Sequence, residues 1–267
     1  MKLSIQIVNF RSRRYLRKCL FSISENLPAG IEAEVLVMNN DEGALASAEE
    51  LKGELDLQII ELQKNVGFGR AHNRGFEKSR GEYVLFLNPD TRILPGALKE
   101  MIDVFAYDEK IGIAGPLLVD SAGKIQPECF GAHRTPLSTA GKKIFARRKQ
   151  PQHVRGDIFE TDWISGGAML VRRDIFEKTG GFDENFFMYF EDVDLCLRAK
   201  KLGAKIAINP KARIFHESGQ SFESEREKKR HYYASQNYYL RKHFGRTAAG
   251  LVKLLRLPYY VKNVYFK

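Results

Sequence analysis

The sequence predicts an α/β fold in which a mostly parallel sheet is flanked by helices and followed by a basic helical extension. Three observations predict it: short apolar runs alternate with segments of helical spacing, turn residues fall between them, and the excess positive charge collects at one end. Residues 3 to 8 read as a buried strand, and Tyr15, Leu16, Cys19, Leu20 and Ile23 follow at helical spacing. Glu34 to Met38 and Leu57 to Leu62 are the second and third strands; a Gly-punctuated segment from Asn65 to Gly75 leads to a fourth, Tyr83 to Leu87. In sheets of this kind ligands sit at the carboxyl ends of the strands, so the loops after these four are the places to look for chemistry. The second half is less regular. Ile111 to Val119 is strand-like around Gly115-Pro116, and Ala168 to Val171 is an apolar strand. A helix is expected from Glu191 to Leu202 and a short strand near Ile206 to Ile208. Between them Arg134 to Arg155 carries seven Lys/Arg and no acid, and reads as a mobile loop.

At 267 residues, 43% hydrophobic and 28% charged, with 22 Gly and 9 Pro, the composition is that of a globular chain. A net charge of +10 suggests a nucleic-acid binder at first sight. Position changes that reading: residues 1–224 hold 32 Lys+Arg against 31 Asp+Glu, whereas 225–267 hold 11 against 2. The body is nearly neutral and the tail is basic. Cys19, Cys129 and Cys196 are far apart and lack C-x-x-C spacing, so neither a disulfide framework nor a zinc site is expected, and a reducing cytosol is the default. The N-terminus alternates like a strand and meets Arg11, Arg13 and Arg14 before any leader-length apolar run develops. No stretch approaches the roughly 18 apolar residues of a spanning helix.

Three features carry candidate chemistry. Asn88-Pro89-Asp90 ends the fourth strand, where a carboxylate held by the preceding proline can reach a metal in the cleft; an Asp capping a turn is the plainer alternative. Glu191-Asp192-Val193-Asp194 opens a helix, and acids there complement the helix dipole. The same positive end keeps Asp192 ionised, as a general base must be, and Phe186 to Phe190 can supply a dry wall beside it. His216 follows a short apolar strand. It is either structural or a second metal ligand, imidazole being acceptable to ions such as Mn²⁺.

The order of motifs resembles the family 2 glycosyltransferases of GT-A fold, particularly the bacterial rhamnosyltransferase-like members that build surface polysaccharides. The resemblance is carried by Ile7-Val8-Asn9-Phe10, the segment Asn65-Val66-Gly67-Phe68-Gly69-Arg70-Ala71-His72-Asn73-Arg74-Gly75, and Leu87-Asn88-Pro89-Asp90-Thr91. It continues through Trp163-Ile164-Ser165-Gly166-Gly167-Ala168, Gly180-Gly181-Phe182-Asp183-Glu184, Tyr189 to Arg198, and His216 before Gly219-Gln220-Ser221. It implies a nucleotide-binding sheet and an inverting transfer of a sugar, rhamnose first, from a nucleotide-diphosphate donor to a glycan or polyprenyl-diphosphate-linked acceptor. By the family pattern Asp192 is the catalytic base and Glu191 its catalytic neighbour. Asp90 is the remaining acid of a D-x-D-like motif and, with His216, a ligand of Mg²⁺ or Mn²⁺. Val8, Asn9, Asn39, Asn65, Gly67, Asn73 and Asn88 match donor-binding positions; Trp163, Gly166 and Gly167 match the loop at the sugar and acceptor. One departure stands out: the second strand of the family usually ends in Asp-Asn, the Asp contacting the base, and here Asn39 lacks that charge, with Asp41 a partial substitute.

Two rivals are weaker. A nucleic-acid binder explains the basic tail but not Asp90, Asp192 and His216, so no nucleic acid is expected. A sugar-nucleotide pyrophosphorylase lacks its N-terminal Gly-rich triphosphate loop here. Residues 1–224 are thus expected to form the transferase domain and 225–267 a basic, aromatic-rich helical segment whose first helix ends at Gly245. Residues 246–267 interleave Leu and Tyr with Lys and Arg, which fits an anionic membrane face; packing on the body or a second subunit is the alternative. The expected location is cytoplasmic and peripheral on the inner face of the plasma membrane.

Overall fold

The computed structural model describes residues 2–43, 45, 55–140, 157–217 and 224–265. The first half runs β1 (Lys2–Asn9), α1 (Arg13–Asn26), β2 (Glu32–Asn39), β3 (Asp56–Glu61), α2 (Phe68–Phe76), β4 (Tyr83–Leu87), β5 (Thr91–Ile93), α3 (Ala97–Tyr107) and β6 (Ile111–Val119). It continues through β7 (Phe130–Gly131), α4 (Pro136–Ala140), β8 (Phe159–Glu160), β9 (Trp163–Ile164), β10 (Ala168–Arg172), α5 (Arg173–Thr179), α6 (Glu191–Lys201) and β11 (Lys205–His216). Two helices close it, α7 (Glu225–Leu255) and α8 (Leu257–Tyr265).

A mixed sheet of order β3-β2-β1-β4-β10-β6-β11-β5, with β8 on β11, forms the centre. Its first four strands are parallel, and β1 is buried on both faces, which is why it reads as a nearly unbroken apolar run. The predicted stripe Leu16, Cys19, Leu20 and Ile23 of α1 is buried against this sheet. Beyond β4 the direction changes. β10 runs antiparallel to both β4 and β6, whereas β6 and β11 pair parallel again, so β10 interrupts an otherwise parallel centre.

That reversal positions the site. A parallel neighbour would offer β4 its carboxyl end, but antiparallel β10 brings its amino end, so Gly166 and Gly167 arrive beside Asn88. The strand expected near Ile206 runs on to His216, and its last residues pair antiparallel with Thr91–Ile93, carrying His216 back to the Asn88-Pro89-Asp90 turn.

The C-terminal helix is part of this body. Tyr239 and Leu240 of α7 are fully buried, and Ser235 Oγ donates to Met188 O at 2.6 Å. Tyr238 OH and Lys242 Nζ reach Asp183 Oδ2 at 2.9 and 2.7 Å. At Gly245 (φ 85°, ψ 169°) the helical backbone breaks as expected, but the chain resumes as helix to Leu255. Beyond this kink Leu251, Leu254, Leu255, Leu257 and Tyr259 are exposed. Of the expected basic loop, Pro136–Ala140 is a short helix against α7, and 141–156 lie outside the described residues. Gly219, Gln220 and Ser221 lie outside them too.

Candidate active site

The carboxyl ends of β1, β2 and β3 align, because the parallel register places Asn9 beside Asn39 and Asn39 beside Glu61. Asn9 Nδ2 donates to Asn39 Oδ1 at 3.0 Å, and Asn39 Nδ2 donates to Glu61 Oε2 at 2.6 Å and Gly43 O at 2.7 Å. Asn39 is therefore committed within the protein, and the carboxylate at this row of strand ends belongs to Glu61. Sequence reasoning missed Glu61; only strand register reveals it. Asp41 Oδ2 accepts from the Arg11 amide at 2.6 Å and Asn9 Nδ2 at 3.3 Å. Val8 is buried with Leu36, Met38 and Ala71 under the loop.

Asn65 folds the donor-side loop. Its Oδ1 accepts from Asn40 Nδ2 at 2.9 Å and from the Gly67 amide at 3.0 Å, while Asn40 Oδ1 accepts from the Val66 amide at 2.9 Å. Gly67 has φ 91°, and a Cβ there would lie 2.6 Å from Phe187 O, so no other residue fits. The next amide, of Phe68, donates to that same Phe187 O at 3.0 Å, tying the loop to the aromatic run before α6. Asn73 belongs elsewhere. It donates to Phe182 O at 2.9 Å and accepts from the Phe182 amide at 2.9 Å, so its side chain holds the Gly180–Glu184 turn rather than joining the strand-end row.

Asn88, Asp90 and His216 come together. His216 Nε2 is 3.3 Å from Asp90 Oδ1 and 3.4 Å from Asn88 Nδ2. Gln126 grips the same histidine twice: its amide donates to His216 O at 2.5 Å, leaving its oxygen to accept from the ring Nδ1 at 2.8 Å. In the neutral ring that bond puts the hydrogen on Nδ1 and turns the Nε2 lone pair toward Asp90. Gln126 went unrecognised in sequence because 90 residues separate it from His216. A carboxylate oxygen and an imidazole nitrogen 3.3 Å apart are of the ligand types that would suit a hard or borderline divalent ion. No set of three His, Cys, Asp or Glu side chains converges among the described residues, so protein alone does not build a closed metal cage there.

The three acids opening α6 diverge. Asp192 Oδ2 accepts from the Gly166 amide at 2.9 Å and Oδ1 from its neighbour Val193 at 2.8 Å. Burial raises its pKa, and those amides and the Arg134 charge only partly offset the rise. Glu191 is buried behind it, near Gly69, with Oε2 unpartnered among the described residues; burial first, and the Asp192 charge second, push its pKa well up. Of the two, Asp192 has the stronger opposition to that rise, from the Gly166 and Val193 amides. Asp194 faces the other way, to Arg198, Lys242 and His243, each at 2.7 Å. The turn before them is strained, Tyr189 and Phe190 both holding φ 68°, which costs about 1–3 kcal/mol per residue. Packing of Phe190 on Tyr232 and Tyr239 keeps it there.

Gly166 and Gly167 join the two halves. Gly166 gives its amide to Asp192, Gly167 O accepts from the Asn88 amide at 3.0 Å, and a Cβ on Gly166 would lie 3.1 Å from Phe68 and 3.7 Å from Asp192 Cβ. Trp163, just upstream, is buried with its indole N–H on Ala132 O at 3.0 Å. A partly exposed carboxylate, Asp192, is thus linked through Gly166 and Gly167 to Asn88, in the turn that sets Asp90 beside His216.

A model of the family described as "Glycosyltransferase like family 2" matches residues 2–234. The chain belongs to glycosyltransferase family 2. It is 30% identical over 193 residues to the N-acetylglucosaminyl-diphospho-decaprenol L-rhamnosyltransferase of Mycobacterium tuberculosis, covering 62% of this chain and 60% of that one. It is 26% identical over 223 residues to the rhamnosyltransferase WbbL of Escherichia coli, covering 79% and 82%. This glycosyltransferase thus spans 60% of the length of the mycobacterial relative. Solved structures share its GT-A fold. GalNAc-T7 with UDP, GalNAc and Mn²⁺ superposes with a TM-score of 0.66 at 13% identity, covering 99% of this chain and 57% of that one. A mannosyltransferase of Pyrobaculum calidifontis with GDP-Man and Mn²⁺ gives 0.65 at 13%, covering 98% and 72%. Among the described residues no helix is long and apolar enough to cross a membrane.

Proposed function

We propose that this glycosyltransferase moves a hexose, rhamnose first, from a nucleoside-diphosphate donor to a hydroxyl of a glycan or polyprenyl-diphosphate-linked acceptor, with inversion. The observation that carries this reading is the convergence of Asp192 with Asp90 and His216 through Gly166 and Gly167. Asp192 takes the proton of the acceptor hydroxyl, whose oxygen attacks the anomeric carbon from the side opposite the diphosphate. The bond to the diphosphate oxygen breaks, and its electron pair leaves with the nucleoside diphosphate. Asp90 and His216 are the residues that would hold Mg²⁺ or Mn²⁺, and such an ion would neutralise charge on the leaving diphosphate. Asn65 and Gly67 shape the nucleotide loop, and Glu61, held by Asn39, supplies the charge that Asn39 lacks.

The relatives support rhamnose, and a dTDP-rhamnosyl transferase of Shigella flexneri is another of them, 26% identical over 166 residues. The mycobacterial relative's name specifies a diphospho-decaprenol acceptor. The kinked C-terminus supports a membrane-facing location: among the described residues, five of nine exposed large hydrophobics lie between residues 251 and 259, interleaved in sequence with Lys253 and Arg256.

The reading is tested by incubating the protein with dTDP-rhamnose and a panel of UDP-hexoses, with Mg²⁺ or Mn²⁺, and measuring nucleoside diphosphate release and product anomer. Release from one donor is expected, and Asp192→Asn should lower transfer by about 10²–10⁴ while donor binding persists, the usual worth of a positioned base. Full activity in that variant removes Asp192 from the mechanism; a retained anomer removes the single displacement.

A further inference from the structure

Two guanidinium groups that the transfer reaction does not use lie around Tyr232, whose ring packs on Phe190. Arg256 follows the last turn of α7 and gives its two terminal nitrogens to Gln236 Oε1 and Asn237 Oδ1, with its Cζ 4.9 Å from the centre of the Tyr233 ring. Both acceptors are neutral amides. No carboxylate pairs with Arg256 among the described residues, although it is half-buried and its burial lowers its pKa. A charge taken out of water without a counter-charge is costly, and this one is held in place by side chains that orient it without neutralising it.

Arg134 approaches from the other side. Its side chain is 15% exposed, it is paired with Glu128, and its Cζ is 4.8 Å from the Trp163 ring. Its charge acts on Asp192. Tyr232 connects the two cations: the charges of Arg134, Glu128, Arg256 and Asp192 all act on its hydroxyl, and its ring packs on Tyr233 at 5.7 Å and Phe190 at 5.4 Å. Both guanidiniums therefore gather around one tyrosine next to the proton acceptor. The donor's diphosphate is assigned to Asp90 and His216; Arg134 lies on Trp163, just upstream of Gly166, and Arg256 on Tyr233, whose ring packs on Tyr232.

We propose that Arg256 and Arg134, with Tyr232 between them, form an anion subsite that takes a phosphate or diphosphate ester carried by the acceptor. The inference rests on the reading that Asp192 receives an acceptor hydroxyl. Guanidinium is the side chain best matched to phosphate, offering paired N–H donors in one plane. A bound ester supplies the counter-charge Arg256 lacks and fixes the acceptor's orientation before the hydroxyl meets Asp192.

The test uses the full chain loaded with dTDP and Mn²⁺, titrated calorimetrically with geranyl diphosphate and, separately, with glycerol 3-phosphate. Binding of geranyl diphosphate alone assigns a lipid-linked ester, binding of glycerol phosphate alone a water-soluble one, and binding of both the phosphate group itself. Arg256→Gln is expected to weaken probe binding at least tenfold and Arg256→Lys by less, with dTDP affinity kept. In the unmutated chain a binding probe should also protect Arg134 and Arg256 from phenylglyoxal, read by mass spectrometry, which requires no folded variant. The subsite is overturned if neither probe binds, if Arg256→Gln binds as tightly as the unmutated chain, if dTDP displaces the probe, or if neither arginine is protected. Failure of the transferase reading looks different: no nucleotide binds at all, while the probes still do.

Discussion

At the scale of single residues, three neighbouring acids acquire three fates. Glu191, Asp192 and Asp194 look alike in sequence, all in the first turn of one helix, but about 100° of rotation per residue sends them to different surroundings. Asp192 meets the Gly166 amide, Glu191 is buried without a partner for Oε2 among the described residues, and Asp194 meets Arg198, Lys242 and His243. Asp192 was legible because a motif marks it. Gln126 and Glu61 were not, since each acts through a partner distant in sequence. Gln126 fixes the ring of His216 as an outer-shell group does for a metal-binding histidine, so Gln126→Ala should weaken Mn²⁺ binding in the presence of dTDP by about 10–100-fold. Calorimetric titration of the ion checks it, and an unchanged affinity detaches Gln126 from the metal site.

Among the elements, α7 does work that its basic composition concealed. It buries Tyr239, braces the strained Tyr189–Phe190 turn and delivers Lys242 and His243 to Asp194. Burial raises the pKa of Asp183 and Asp194, but the bonds of Lys242, Tyr238 and Asn185 on the first, and of His243, Arg198 and Lys242 on the second, outweigh it and leave both lowered. A carboxyl depressed in the folded state stabilises above its unfolded pKa, about 3.9, and that contribution is lost as pH falls through the folded value. Melting temperature should therefore drop as pH is lowered from 5 to 2, and Lys242→Met should show a lower melting temperature at pH 7 with a shallower acid dependence. Parallel curves for the two proteins would detach Lys242 from this helix clamp. The other surprises have the same origin: the direction of β10 and the length of β11 follow from where their neighbours lie, which local periodicity does not encode.

For the whole molecule, the charge asymmetry takes on a shape. The basic residues of 225–244 ride on a helix that packs against the body, whereas beyond Gly245 the exposed Lys253 sits among the exposed leucines. Leu254→Ser with Leu255→Ser should weaken sedimentation with phosphatidylglycerol vesicles at least tenfold and leave transfer to a water-soluble acceptor intact. Equal sedimentation of both proteins would refute the membrane-facing role. Neither side chain is buried, so the fold should tolerate both changes.

What the sequence by itself determined is the alternation of strands and helices and the family, because these depend on periodicity and on short motifs that carry their own geometry. The tertiary structure alone decided which of those motif residues share a site. Asn73 and Asn39 are spent on internal hydrogen bonds, Glu61 and Gln126 enter through register and strand return, and the basic tail divides at Gly245 into a packed half and one with exposed leucines. The physical reason is that a polar side chain's partner is set by what lies within about 3 Å of it, and in this chain such partners are commonly tens of residues away in sequence.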